Sequence, residues 1–118
     1  MEVVMELPTE GYMLRVIIGE SDKHEGQRLY EWLVLKARES GIAGATVMRG
    51  MMGYGASSRI KTSSILRLSE DLPVVLEFVD SQRMLMEFLE LIDPMLKGGL
   101  ATFEKMHIRL YRSGGEKV

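Results

Sequence analysis

The chain reads Gly41-Ile-Ala-Gly-Ala-Thr-Val-Met-Arg-Gly-Met-Met-Gly-Tyr-Gly-Ala-Ser-Ser58, and this stretch places a helix stop, a strand and a glycine-rich loop directly after one another. Gly41 suits the left-handed conformation that commonly ends a helix. Residues 45–52 predict a strand. The glycines that follow let the main chain approach a ligand closely, although bulges and turns give the same pattern. The stretch therefore predicts either a binding loop or a sharp strand end.

The composition indicates one domain with little net charge. The chain has 118 residues, no cysteine and a formal net charge of −2. So small a charge, with scattered basic residues, argues against binding to nucleic acid, and the lack of cysteine excludes disulfides and thiolate zinc sites. No apolar stretch approaches the ~20 residues of a membrane helix, and no signal peptide is recognisable. We expect a single cytoplasmic domain over residues 1–118, without membrane insertion and with a frayed tail at residues 113–118.

The first part of the chain predicts a strand followed by a helix. Residues 12–18 are rich in β-forming side chains and lie between two glycines, which indicates a strand. A helix is expected to begin near Asp22, with Glu25 three residues later completing a capping-box-like pair. Gly41 ends this helix. Its inward face is expected to hold Leu29, Trp32, Leu33 and Ala37.

The middle of the chain predicts a polar loop and two extended segments. The loop covers residues 54–64, directly after the glycine-rich strand end. Residues 65–68 and 74–79 follow as extended structure, because both are rich in aliphatic side chains and a polar turn separates them.

The last part predicts a helix and a final strand. Ser81 is the expected N-cap, Pro94 should tighten the last turns, and Gly98-Gly99 should end the helix. Residues 106–112 then form the last strand. The inward residues of this helix are expected to be Leu85, Phe88, Leu89, Ile92 and Leu96.

This βαββαβ order predicts an α+β fold, a ferredoxin-like sandwich in which an antiparallel sheet carries both helices on one face. Alternation along the strands assigns to the helix-covered face Tyr12, Leu14, Val16, Ile18, Val74, Leu76, Phe78, Met106, Ile108 and Leu110. It assigns to the opposite face Met13, Arg15, Ile17, Thr46, Met48, Val75, Glu77, Val79, His107, Arg109 and Tyr111. The strand order then puts Arg15 between Glu77 and Arg109. Because this second face is largely apolar and its charges can pair when covered, it predicts self-association.

The same residues resemble a known family, the PII signal-transduction proteins. The strand start Gly44-Ala-Thr-Val47 and the later Gly53-Tyr-Gly55 are similar to the Gly-Met-Thr-Val strand start and the Gly-x-Gly at the base of the PII regulatory loop. The ending Ile108-Arg-Leu-Tyr-Arg-Ser-Gly-Gly-Glu116 is similar to their arginine-containing last strand.

The resemblance is closer to a PII-like branch known as domain of unknown function 190. The blocks that carry it are Gly19-Glu-Ser-Asp-Lys-His24, Gly44-Ala-Thr-Val-Met-Arg-Gly50, Gly55-Ala-Ser-Ser-Arg59 and Leu66-Arg-Leu-Ser-Glu-Asp-Leu-Pro-Val74. This resemblance implies a homotrimer that binds an adenine nucleotide of the AMP, ADP or ATP class in clefts between subunits. It implies no catalysis and no tightly bound cofactor. The loop at residues 54–64 would report to a regulated protein such as a transporter or channel.

The resemblance also assigns nucleotide contacts to particular residues. In this interpretation glycines bring backbone amides to the ligand, and arginines of the loop and of the last strand supply charge. The predicted contacts are Arg49, Gly50, Gly53, Tyr54, Gly55, Arg59, Gly98, Gly99, Arg109 and Arg112. No lysine directly follows Gly98-Gly99, which favours a nucleotide with fewer phosphates than ATP. Tyr54 lies at the base of a loop shorter than that of PII, so uridylylation is not expected.

Other interpretations stay open. Glu20, Asp22, His24 and Glu25 have the oxygen and nitrogen donors of a metal site, although a capped helix start explains them better. The chain could also be a small ferredoxin-like enzyme using the same cleft, or an adaptor that binds only protein.

Two groups of residues near the loop, serines and methionines, allow more than one interpretation. Serines in the loop lack a neighbouring base for nucleophilic catalysis, and polar loops are ordinarily serine-rich: Ser57, Ser58, Ser63 and Ser64. The methionine cluster is expected to fill a core or interface rather than to bind a ligand: Met48, Met51 and Met52.

Overall fold

A four-stranded antiparallel sheet forms the frame of the molecule in the computed structural model, which describes residues 9–63 and 71–114. The elements in chain order are β1 Glu10–Gly19, β2 Lys23–His24, β3 Gln27–Arg28, α1 Leu29–Glu39, β4 Gly44–Arg49, β5 Met52–Gly53, β6 Lys61–Thr62, β7 Pro73–Asp80, α2 Gln82–Ile92 and β8 Leu100–His107. The strand order of the sheet is β4-β7-β1-β8. This is the order of a ferredoxin-like sandwich, so the predicted fold is confirmed.

The core lies between the sheet and the two helices. Alternate residues of β1 and β7 pack against apolar residues spaced three or four apart on α1 and α2. At its centre the rings of Phe78 and Phe88 meet edge to face at 5.0 Å. Each buried aliphatic or aromatic side chain of this kind contributes about 1.5–3 kcal/mol. The fully buried members of the core include Leu14, Val16, Leu33, Leu76, Phe78, Leu85 and Ile92.

Local signals set two helix boundaries as predicted. The Ser81 side-chain oxygen accepts a hydrogen bond from the Met84 amide at 3.2 Å and caps α2. Gly41 has a φ of +82° and ends α1. Pro94 lies in a 3-10 turn, Asp93–Met95, that tightens the end of α2 as predicted, but the helix ends there and not at Gly98-Gly99.

The start of the first helix differs from the prediction. The helix begins at Leu29, not near Asp22, because a small hairpin of β2 and β3 precedes it. The hairpin turns at Glu25 and Gly26, whose φ values of +50° and +82° are incompatible with a right-handed helix. The N-cap of α1 is Arg28, without a side-chain cap bond.

Two strand boundaries also differ. The strand predicted over residues 45–52 is β4, which ends at Arg49 because the Gly50 amide donates to the Pro73 carbonyl at 2.7 Å and turns the chain. Residues 52–53 instead pair with β6 in a separate ribbon. The last strand is β8, Leu100–His107, rather than residues 106–112. As an edge strand exposed on both faces, β8 has no apolar alternation that could reveal it.

The shift of the last strand corrects the predicted sheet faces. Arg15 lies beside Glu77, with 2.8 Å between its Nη2 and the carboxylate Oε2, as predicted. Its other neighbour is Thr102 rather than Arg109. Residues 108–113 follow the strand without regular structure, so Met106, Ile108 and Leu110 do not form a row under the helices, and His107, Arg109 and Tyr111 do not form one opposite them. The predicted strand at residues 65–68 lies outside the described residues, as do Ser64 and residues 115–118.

The sheet face away from the helices is called the open face below. By strand register it consists of Gly11, Met13, Arg15, Ile17, Gly44, Thr46, Met48, Val75, Glu77, Val79, Leu100, Thr102, Glu104 and Met106. Near one end the chain after β8 crosses the sheet: the Ile108 amide donates to the Thr9 carbonyl at 2.7 Å, and the Tyr111 hydroxyl donates to the Ala43 carbonyl at 2.6 Å. Within the two described ranges, no helix is long and apolar enough to cross a membrane.

Candidate ligand site at the loop end of the sheet

The sheet has two ends of different character. At the loop end, β1 and β4 finish and β7 and β8 begin, so the connections around residues 20–22, 50–63 and 98–99 meet there. At the tail end the polarity is reversed, and the chain after β8 leaves the sheet. Of the predicted contacts, the loop end carries Arg49, Gly50, Gly53, Tyr54, Gly55, Arg59, Gly98 and Gly99. Arg109 and Arg112 follow β8 at the tail end, so one chain does not bring all ten residues together.

Two carboxylates organise the turn after β1. Asp22 accepts a hydrogen bond from the Gly19 amide at 3.1 Å, and Asp71 Oδ1 accepts one from the Ser21 amide at 2.9 Å. A β-carbon at Gly19 would lie 2.5 Å from the same Asp71 oxygen. Gly19 is therefore needed because the Asp71 carboxylate lies against the backbone there.

Two ion pairs connect this turn to the base of the loop. Arg49 Nη2 lies 2.5 Å from Glu20 Oε2, and Lys61 Nζ is paired with Asp71 Oδ2. Because β7 lies between β4 and β1, the Arg49–Glu20 pair bridges the start of a third strand. Burial alone would raise the pKa of Asp71, but hydrogen bonds from Lys61 and Ser21 outweigh it and lower the pKa below its usual 3.8. The two ion pairs thus hold the residues on both sides of the loop base.

The glycines of the loop end serve different purposes. The Gly50 amide is engaged by Pro73, whose ring would lie 2.8 Å from a β-carbon at that position. Gly53 faces the same ring at 3.3 Å, whereas a β-carbon on Gly55 would meet no atom within 4 Å. Gly99 has a φ of +110° and passes so close to the Ile17 carbonyl that a side chain would collide with it. Gly50 and Gly99 are therefore explained by packing, and Gly55 is open to a ligand.

The loop and the ribbon of β5 and β6 project from the sheet with their apolar side chains uncovered. Tyr54 is 72% exposed, and Met51 and Met52 are 78% and 61% exposed, so these methionines fill no core within the chain. The loop turns at Ser58, whose amide donates to the Gly55 carbonyl at 2.8 Å and whose φ is +56°. The segment is well connected only at its base.

The alternative metal site is not assembled. Glu20 is paired with Arg49, Asp22 with the Gly19 amide, and the His24 ring meets the Trp32 ring edge to face at 4.7 Å. Across residues 9–63 and 71–114, no group of three or more histidine, aspartate or glutamate residues could hold a metal ion. These residues therefore form neither a metal site nor a helix cap.

A cavity of about 300 Å³ opens beside the predicted glycine turn. It lies between the end of α2 and the start of β8. Leu89, Leu96 and Leu100 make its wall mainly apolar, and Asp93 supplies one carboxylate. Such a wall suits an apolar or aromatic group better than a phosphate.

Sequence reasoning missed Glu20 and Asp71 as partners of the loop cations. The sequence pattern of Glu20 indicated a capped helix start or a metal ligand, although the residue lies in the block Gly19 to His24 that carries the family resemblance. Asp71 is 10 residues from Lys61 and 50 from Ser21, and neither separation is a local signal. Only the fold brings these residues together.

Comparison with known proteins identifies the family. The model of DUF190, described as "Uncharacterized ACR", matches residues 11–108. A UPF0166 protein of Aquifex aeolicus is 35% identical over 96 residues, which cover 81% of this chain and 90% of that protein.

Solved structures share the fold. CPII, a nitrogen regulatory PII-like protein from Thiomonas intermedia K12 solved with ADP, AMP and bicarbonate, has a TM-score of 0.64 at 14% identity, covering 84% of this chain and 88% of CPII. A PII-like signaling protein from Thermus thermophilus has a TM-score of 0.59 at 17% identity, covering 85% of this chain and 90% of that protein. At these identities the likeness concerns the fold.

Proposed function

The chain belongs to the DUF190 family and has a PII-like fold, and we propose that it is a trimeric regulatory protein that binds an adenine nucleotide between subunits and signals through residues 54–64. The observation that carries the proposal is the loop end of the sheet. There the base of a projecting loop carries an open glycine, Gly55, and an exposed arginine, Arg49, while an apolar cavity lies beside the start of β8 at the other edge of the sheet. A protein of the same fold, CPII, was solved with ADP and AMP.

The open face supports the proposed assembly. It holds apolar side chains around the Arg15–Glu77 ion pair, in which the arginine is 37% and the glutamate 25% exposed. Covering this face with other copies of the chain would bury the apolar area and leave the two charges paired. Because Arg109 and Arg112 lie at the tail end, a ligand at the loop end would contact them only from a neighbouring subunit.

The proposed ligand contacts are chosen by how accessible each group at the loop end is. Gly55 offers open backbone, and Arg49, whose side chain is 64% exposed, offers a guanidinium group to phosphate. The amide of Gly50 is bonded to Pro73, so we do not include it among the ligand's donors. Binding rather than chemistry is the proposed activity, and a regulated transporter or channel is the proposed kind of partner.

A thermal-shift experiment tests this function. The purified protein is heated with AMP, ADP, ATP or cyclic AMP, and nucleotide integrity is checked afterwards by chromatography. A ligand at 100 times its Kd should stabilise the protein by about 2.7 kcal/mol without turnover. Conversion of the nucleotide would favour the ferredoxin-like enzyme, and the absence of any shift would favour a protein-only adaptor.

A pair of variants localises the site. Gly55→Val should reduce the nucleotide-dependent shift while leaving the melting temperature of the free protein unchanged, because a side chain there meets no atom of the chain within 4 Å. Glu87→Val, on the exposed surface of α2 away from the open face, is the control. Light scattering should give both variants the wild-type mass. Equal nucleotide shifts in both variants would remove Gly55 from the site.

A further inference from the structure

Two cations on either side of the exposed segment 54–60 are both neutralised by carboxylates of the same chain. Arg49 precedes this segment and pairs with Glu20; Lys61 follows it and pairs with Asp71. Arg59 is the loop cation for which no ion pair is found within residues 9–63 and 71–114. A site at the loop end therefore contains little uncompensated positive charge.

The two partners of the Arg49–Glu20 pair differ in exposure. The arginine side chain is 64% exposed and the glutamate 14%. The backbone of Glu20 is held on both sides, because its amide donates to the Leu72 carbonyl at 2.8 Å and its carbonyl accepts from Arg28 at 2.9 Å. Arg49 is the more exposed partner and can turn toward a ligand, whereas Glu20 has an anchored backbone and a largely covered carboxylate.

We propose that Glu20 is an internal counter-ion of Arg49 that determines how many phosphates the bound nucleotide carries, favouring a nucleoside monophosphate over a triphosphate. This inference rests on the proposed function and concerns the same site. A phosphate that contacts Arg49 shares it with a fixed carboxylate. Each further negative charge on the ligand then adds repulsion from Glu20, which solvent screens poorly at 14% exposure.

Removing the carboxylate charge tests the proposal. Binding of AMP and of ATP is measured by calorimetric titration for the wild type, Glu20→Gln and Glu20→Asp. Glu20→Gln should tighten ATP binding about three- to tenfold, the size expected for one unit charge near a partly exposed phosphate, and AMP binding less. Glu20→Asp keeps the charge and should keep the wild-type ratio of the two affinities.

A control of matched chemistry is available on α2. Glu87 pairs with Arg83 at 3.3 Å on an exposed helix surface, so Glu87→Gln removes the same charge from the same kind of pair. It should leave both affinities unchanged. If Glu20→Gln changes the ATP-to-AMP ratio no more than Glu87→Gln does, the proposal is wrong.

Two further measurements cover the cases in which the wild type binds no adenine nucleotide or Glu20→Gln does not fold. If the wild type binds no adenine nucleotide, the proposed function fails, and inorganic tripolyphosphate becomes the probe; it should still bind Glu20→Gln more tightly than Glu87→Gln, and equal binding overturns the role of Glu20. If Glu20→Gln does not fold, Glu20→Ala replaces it. It also removes the carboxylate charge, so the ATP-to-AMP affinity ratio should rise in the same way, and an unchanged ratio overturns the proposal.

Discussion

Asp71 shows at the scale of one residue how the loop base is held. Its carboxylate is partly buried, accepts the Ser21 amide hydrogen and is paired with Lys61. Burial raises the pKa of Asp71, but the hydrogen bonds lower it further, and the result lies below the usual 3.8. The ionised form therefore stabilises the fold.

The sign of this shift predicts a pH dependence. A carboxyl whose pKa is lower in the folded state adds stability above its unfolded pKa and loses it as the pH falls through the folded value. Stability should thus fall below about pH 4, the ordinary aspartate range. In urea unfolding at pH 6 and pH 3, Asp71→Asn should show a smaller difference in unfolding free energy than the wild type. An unchanged difference would mean that Asp71 contributes nothing to the acid sensitivity.

At the scale of elements, boundaries were predictable where the signal is local. Ser81 caps α2 and Gly41 ends α1 through contacts within a few residues. The predicted start of α1 was wrong because Glu25 and Gly26 adopt positive φ values in a hairpin. The capping pattern of Asp22 and Glu25 does not reveal this hairpin. The edge strand β8 was misplaced because both of its faces are exposed, so no alternation marks it.

The loop after β5 is the element on which the proposed function depends. Residues 54–60 are exposed, while the base is held by the ion pairs of Arg49 and Lys61. Ordering such a segment costs roughly 1 kcal/mol or more per residue, which its few contacts do not offset. Amides of residues 55–60 should exchange with deuterium within seconds in the free protein and slow with nucleotide. Strong protection without nucleotide would place the signalling element elsewhere in the chain.

At the scale of the whole molecule, the fold was predictable because alternation along β1 and β7 determines which side chains face the helices. The site was only partly predictable. The loop glycines and Arg49 are local to one motif, whereas Glu20, Lys61 and Asp71 meet through the fold. The placement of Arg109 and Arg112 at the opposite end depends on where β8 ends, which the sequence pattern misplaced.

The apolar open face, and the separation of Arg109 and Arg112 from the other predicted contacts, lead to one expectation for the assembly. We expect a face that carries apolar side chains around the Arg15–Glu77 pair to be covered by other copies of the chain. The proposed arrangement is a closed trimer in which the tail end of one subunit meets the loop end of the next. Assembly and ligand binding are then properties of the same species.

Native mass spectrometry in the presence of AMP, ADP or ATP measures both properties at once. The chain has a mass of 13.4 kDa, so the expected species is three chains carrying up to three adenine nucleotides, one for each boundary between subunits. Glu77→Ala should weaken this species, because Arg15 would be covered without its partner. A monomer at micromolar concentration, or a trimer that retains no adenine nucleotide, would contradict the proposed function.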